Sequence, residues 1–156
     1  MCNIDIQSPE FVKCLEQGEQ EAFQRLFETF HKALCFFAAR IVRDHLEAED
    51  IVQDVFLSFW KMDRGGFPNL KTIKTFLYNS VQHRCLNYLR DLEIRDRNYR
   101  NLKREELDED YFLCQQIRAE VVAELFGAID ELPDKCKEIF KRSYVDGQED
   151  KKIAEE

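Results

Sequence analysis

From Glu21 onward, Phe23, Phe27, Phe30, Leu34, Phe37 and Ile41 recur at steps of three and four residues, which predicts one helix running to about Arg43 with these side chains in a single buried stripe. A shorter helix precedes it. Ser8-Pro9 reads as its start, because serine can cap free N–H groups and proline is tolerated in the first turn, and Gly18 is a natural stop. A third helix is predicted from about Leu46 to Met62, with Ile51, Val52, Val55, Phe56, Phe59 and Trp60 on one side and Glu49, Asp50, Gln53, Asp54 and Leu57 on the other. The segment Asp63-Arg64-Gly65-Gly66-Phe67-Pro68-Asn69 carries two glycines and a proline, so it is a loop with an aromatic in it. The fourth helix, about Leu70 to Arg95 or beyond, should bury Ile73, Phe76, Leu77, Val81, Cys85 and Leu89. It should turn Lys71, Lys74, Tyr78, Asn79, Gln82, His83, Asn87 and Arg90 mostly outward.

Residues 95–111 pass from Arg95, Arg97, Arg100, Lys103 and Arg104 into Glu105-Glu106-Leu107-Asp108-Glu109-Asp110, opposite charge blocks with few apolar anchors, and read as a linker over 96–111. A second helical lobe is expected over 112–156. Ile117, Val121, Leu125, Ala128, Ile129 and Leu132 would form its buried stripe, Pro133 would open the next helix, and Asp146-Gly147 would end it. No strand pattern emerges. The expected fold is all-α: a helical bundle at 8–95, the charged linker and a small helical lobe. The sequence stops within a further helical pattern, Lys151-Lys152-Ile153-Ala154-Glu155-Glu156, without a cap.

Charge changes the picture when it is split along the chain. The 156 residues hold 23 Lys+Arg and 31 Asp+Glu, a net of −8, which excludes a generally basic nucleic-acid coat. Residues 1–60, 61–104 and 105–156 carry nets of −6, +7 and −9. One basic island between acidic flanks suggests a single polyanion-facing surface. The N-terminus lacks the basic start and apolar centre of a signal peptide, so a cytoplasmic protein with no membrane insertion is expected. Six cysteines without a Cys-x-x-Cys pair argue against disulfides and zinc. His-Glu-x-x-His, Gly-x-Ser-x-Gly and glycine-rich phosphate loops are absent, and His31, His45 and His83 are scattered. Neither catalysis nor a metal or cofactor is therefore expected.

Asp50, Gln53 and Asp54 are neighbours at helical spacing with Leu57 beside them, a surface suited to a basic partner. The fourth helix combines cations, amides and rings after an aromatic-bearing loop. Cations suit phosphate, amides suit base edges, and flat rings suit unstacked bases, so Phe67 and Tyr78 are candidate stacking platforms.

Glu21-Ala22-Phe23, Ala48-Glu49-Asp50-Ile51-Val52-Gln53-Asp54-Val55-Phe56, Phe76-Leu77-Tyr78 and Asn87-Tyr88-Leu89-Arg90 resemble region two of bacterial RNA polymerase sigma factors of the extracytoplasmic-function (ECF) group. Ala128-Ile129-Asp130-Glu131-Leu132-Pro133, Ile139-Phe140, Asp146-Gly147 and Lys152-Ile153-Ala154-Glu155-Glu156 resemble the opening of their region four, whose helix-turn-helix would then be incomplete. The resemblance implies a sigma factor that binds core RNA polymerase, on the clamp helices of the largest catalytic subunit, through Glu49, Asp50, Gln53, Asp54 and Leu57. It implies promoter recognition and opening of the −10 element on its non-template strand. The residues at stake are Phe67, Asn69, Lys71, Lys74, Tyr78, Asn79, Gln82, His83, Asn87 and Arg90. An anti-sigma factor covering both lobes is a further partner the family admits. His83 stands where many relatives have asparagine, and Phe76 where many have tryptophan, so base preference does not carry over. As the sequence stands, −35 recognition should be lacking. The competing reading from another class is a helical protein-interaction adaptor with no DNA role.

Overall fold

The computed structural model describes residues 5–95 and 108–145, and these form six α-helices, a short π-helical turn and no strand. The helices are α1 (Pro9–Glu16), α2 (Gln20–Val42), α3 (His45–Lys61), α4 (Leu70–Arg95), α5 (Glu109–Asp130) and α6 (Asp134–Phe140), with the π-helical turn at Lys141–Val145. The fold is all-α.

Each boundary has a local cause. Ser8 takes the extended backbone of an N-cap, and Pro9 supplies a pre-set first turn, but the Ser8 side chain makes no capping bond and its Oγ is buried without a partner. Gly18, at φ +77, lets the chain leave α1 in the left-handed region. Arg43 closes α2 at φ 57, and Asp44 then opens α3 by accepting from Leu46 N at 3.0 Å and Glu47 N at 3.2 Å. Asn69 starts α4 in the same way, its Oδ1 accepting from both the backbone N–H and the hydroxyl of Thr72 at 2.9 Å.

The first compact unit runs from Met1 to Glu120. Within it α2 packs on α3 and α4, these two pack on each other, and α1 lies against α2. Phe11, Leu15, Leu26, Leu34, Phe37, Val52, Phe56, Phe59, Leu77 and Val81 fill the centre, so the stripes expected from spacing in α2, α3 and α4 are the ones turned inward. Phe23, Phe27, Phe30, Trp60 and Phe76 sit at the rim, half-buried.

The first half of α5 belongs to this unit. Phe112 and Ala119 join its core, and the buried Gln115 accepts from Arg40 Nε at 3.2 Å. The face expected to be buried on this helix is corrected here: Ile117, Val121, Leu125, Ala128 and Leu132 are exposed, and of that stripe only Ile129 is buried. Two stripes compete on α5, and the longer aliphatic one of Ile117, Val121 and Leu125 is not the one buried. Asp108 starts the helix by accepting from Tyr111 N at 2.8 Å, and the face holding Phe112, Gln115 and Ala119 is directed inward.

The second unit spans Val121 to Glu156. Its described part holds the end of α5, α6 and the π-helical turn, with Asp130 paired to Lys137 at 3.3 Å and Lys141 at 3.9 Å. The linker expected at 96–111, apart from 108–111, and the final helix expected over 148–156 lie outside the described residues.

Candidate polymerase and nucleic-acid surfaces

Glu49, Asp50, Gln53, Asp54 and Leu57 are all exposed on α3, at spacings that put them on one face opposite buried Val52, Val55, Phe56 and Phe59. Leu57, 54% exposed, is an apolar tip among acidic and amide groups. Arg84 of α4 crosses to this face, donating to Ser58 Oγ at 2.9 Å and lying 3.9 Å from Asp54 Oδ2. Both partners of that ion pair are well exposed, so its contribution to stability is small. It bridges the acidic ridge and the basic helix, whose relative placement is set by the core packing of α3 on α4.

His31 lies below the ridge, stacked on Phe27 with ring centroids 4.3 Å apart and with Cys35 Sγ 3.5 Å from its Nε2. Burial lowers the His31 pKa, opposed by the Glu49 carboxylate. Burial, helped by the same carboxylate, pushes the Cys35 thiol up to about 11. A raised thiol is a poor nucleophile, so this Cys–His neighbourhood is packing. No group of three or more His, Cys, Asp or Glu among the described residues is placed to hold a metal ion.

The loop at 63–69 is held at both ends. Arg64 donates from Nε to Leu15 O at 2.7 Å and from Nη1 to Trp60 O, with its guanidinium 4.8 Å from the Trp60 ring centroid. One side chain thereby ties the ends of α1 and α3 together, at a Leu15 carbonyl that also accepts from Gly18 N at 3.1 Å. Phe67 is half-buried, 5.4 Å from Phe76 in an edge-on contact and 5.9 Å from Phe59. It is thus a rim aromatic pinned to the core.

Asn79, His83 and Arg90 line the exposed face of α4, and Lys71 is exposed in its first turn. Gln82 and Asn87 are half-buried beside them, and Asn87 Oδ1 accepts from Arg90. Asn69 is exposed, but its Oδ1 is committed to capping, which leaves only the amide nitrogen for a ligand. Two expectations fail here. Tyr78 is 3% exposed, its ring edge-on to Phe37 at 5.2 Å, and so is no stacking platform. Lys74 is half-buried with its Nζ 2.6 Å from Glu120 Oε1. The physical reason is that Lys74, Tyr78, Val81 and Cys85 follow one another at steps of four, three and four, which is the inward face of α4. Arg64, Arg84 and Glu120 were outside the candidate set. Each acts through a contact distant in sequence, for which spacing along one helix carries no signal.

A family model for sigma-70 region 2 matches residues 26–94, the span from α2 to the end of α4 that carries both the ridge and the basic helix. Among curated relatives, the ECF RNA polymerase sigma factor SigX of Bacillus subtilis (strain 168) is 24% identical over 136 residues, covering 82% of this chain and 68% of its own length. Residues 26–94 thus carry a sigma-70 region 2, and the chain is similar to ECF sigma factors over most of its length. A second relative, the ECF RNA polymerase sigma factor SigK of Mycolicibacterium vanbaalenii, is 22% identical over 138 residues, covering 84% of this chain and 68% of its own. No solved structure matches. These similarities place the function of the chain in transcription initiation. Its residues outside 26–94, including α1 and α5, are not covered by the region 2 match.

Proposed function

We propose that this sigma factor docks on core RNA polymerase through the α3 ridge, on the clamp helices of the largest catalytic subunit, and presents α4 to the non-template strand of an opening −10 element. The observation that carries the reading is the exposure of Asp50, Gln53, Asp54 and Leu57 on one helical face adjoining, through Arg84, the helix that carries Lys71, Asn79, His83 and Arg90. An apolar tip ringed by carboxylates suits a partner with basic side chains around an apolar patch. On the other surface, Lys71 and Arg90 serve phosphates, while Asn79, Gln82, His83 and Asn87 offer hydrogen bonds to base edges. Asn69 contributes its free amide nitrogen, and half-buried Phe67 bounds the end of this surface at the loop. The protein works in the cytoplasm, where polymerase is, and an anti-sigma factor masking these surfaces is its natural regulator.

The test is charge reversal. Asp50→Lys with Asp54→Lys should abolish co-purification with core RNA polymerase while leaving the far-UV circular dichroism and melting temperature near those of the unaltered chain, because both side chains are exposed. Undiminished affinity in a folded double variant refutes the assignment.

A further inference from the structure

The contact of α5 with α4 has no part in the docking just described. Phe112 and Ala119 anchor the first half of α5 in the core, Gln115 accepts from Arg40, and Glu120 takes Lys74. Beneath that ion pair lies the buried Tyr78 hydroxyl. It meets no hydrogen-bond partner at good geometry, and its pKa is raised, first by burial and then by the Glu120 carboxylate. A carboxylate oxygen 2.6 Å from an ammonium offers what a phosphate oxygen would offer, a short charge-assisted contact. Lys74 lies one turn from exposed Lys71, and its side chain keeps 34% of its exposure despite lying on the inward face.

We propose that Glu120 is an intramolecular stand-in for a nucleic-acid phosphate: it occupies Lys74, so that seating of the Glu109–Glu120 half of α5 and binding of a backbone phosphate at Lys74 exclude each other. The inference rests on the reading that α4 faces the opened strand. With the Lys74 and Glu120 side chains about one-third exposed (34% and 33%), the pair biases the equilibrium without locking it. Solvent-screened pairs are worth a factor of about two to five, the scale taken for this partly exposed one, which a strand held by several other contacts overcomes.

The experiment uses the full chain bound to core RNA polymerase and a fluorescent single-stranded oligonucleotide of −10-like sequence. Glu120→Gln keeps the size and a hydrogen-bonding group but removes the charge. It should tighten strand binding about two- to fivefold and steepen the fall of log K with log salt by about 0.7, the increment for one added phosphate on a single strand. In a Lys74→Ala background the same substitution should change nothing, whereas a general gain of positive charge would act there too. With the unaltered chain, adding the oligonucleotide should speed amide hydrogen exchange across residues 109–120, a readout independent of how any variant folds. Unchanged affinity of a folded Glu120→Gln variant, a gain that persists without Lys74, or unchanged exchange in that segment overturns the proposal. Should Lys71→Ala and Arg90→Ala also leave strand binding untouched, the reading of α4 itself has failed. If those two weaken binding while Glu120→Gln is silent, only the stand-in is lost.

Discussion

Single side chains in this protein are assigned by what surrounds them more than by what they are. Tyr78 has the chemistry of a base-stacking platform and the position of a core residue, and position wins, because its ring is buried edge-on to Phe37. Cys35 and Cys85 show the same dependence. Burial first, then Glu49 for Cys35 and Glu47 for Cys85, pushes their thiols up to about 11 and about 12. At pH 8 they hold almost no thiolate, so iodoacetamide should modify exposed Cys114 and Cys136 well before either of them, as followed by peptide mass spectrometry. Labelling of Cys35 should accelerate as pH rises toward 11. Labelling of Cys35 as fast as Cys114 at pH 8 contradicts the packing described for the His31 neighbourhood. For His31 the sign is the opposite one. With its pKa lowered by burial, the unfolded chain binds the proton more readily, so its share of stability is complete above the unfolded value of about 6.5 and is lost as pH falls below it.

At the scale of elements, the boundaries of α2, α3 and α4 were legible because their apolar residues repeat every three or four positions and turn residues stand at the ends. The ridge was legible for the same reason: a helix that buries Val52, Val55, Phe56 and Phe59 must turn Asp50, Gln53, Asp54 and Leu57 outward. What spacing could not supply was the partner of each face. Nothing local says that Glu120 of α5 reaches Lys74 and Tyr78, or that the Arg64 guanidinium reaches back to Leu15. The joint between α1 and the 63–69 loop gives a test at this scale. Gly18 sits at φ +77, and a Cβ there would lie 3.1 Å from Arg64 Nη2. Gly18→Ala should therefore lower the unfolding free energy by about 1–2 kcal/mol, mostly from the left-handed backbone since the Arg64 side chain can shift. Urea denaturation checks the value, and a loss below about 0.3 kcal/mol, within the range of a neutral surface change, would contradict it.

Over the whole molecule, charge is partitioned in a way that, on the proposed function, makes DNA binding depend on the polymerase. The net of +7 over residues 61–104 is flanked by −6 and −9, and the chain sums to −8. A free chain of this kind is repelled by duplex phosphate at long range and holds the strip only weakly, since each phosphate contact must compete with salt. In the docking proposed above, the ridge would leave solvent and the strip would be fixed beside strands that are being separated. The Glu120 contact acts in the same direction, keeping one cation occupied until a strand competes for it. Affinity and selectivity for promoter DNA therefore belong to the complex. The most direct measurement is fluorescence anisotropy of a −10-like single strand, and of the matching duplex, titrated at physiological salt with the chain alone, core RNA polymerase alone and the two together. The account predicts sequence-dependent strand binding only when both proteins are present. Tight, sequence-specific binding of either DNA by the free chain would contradict it.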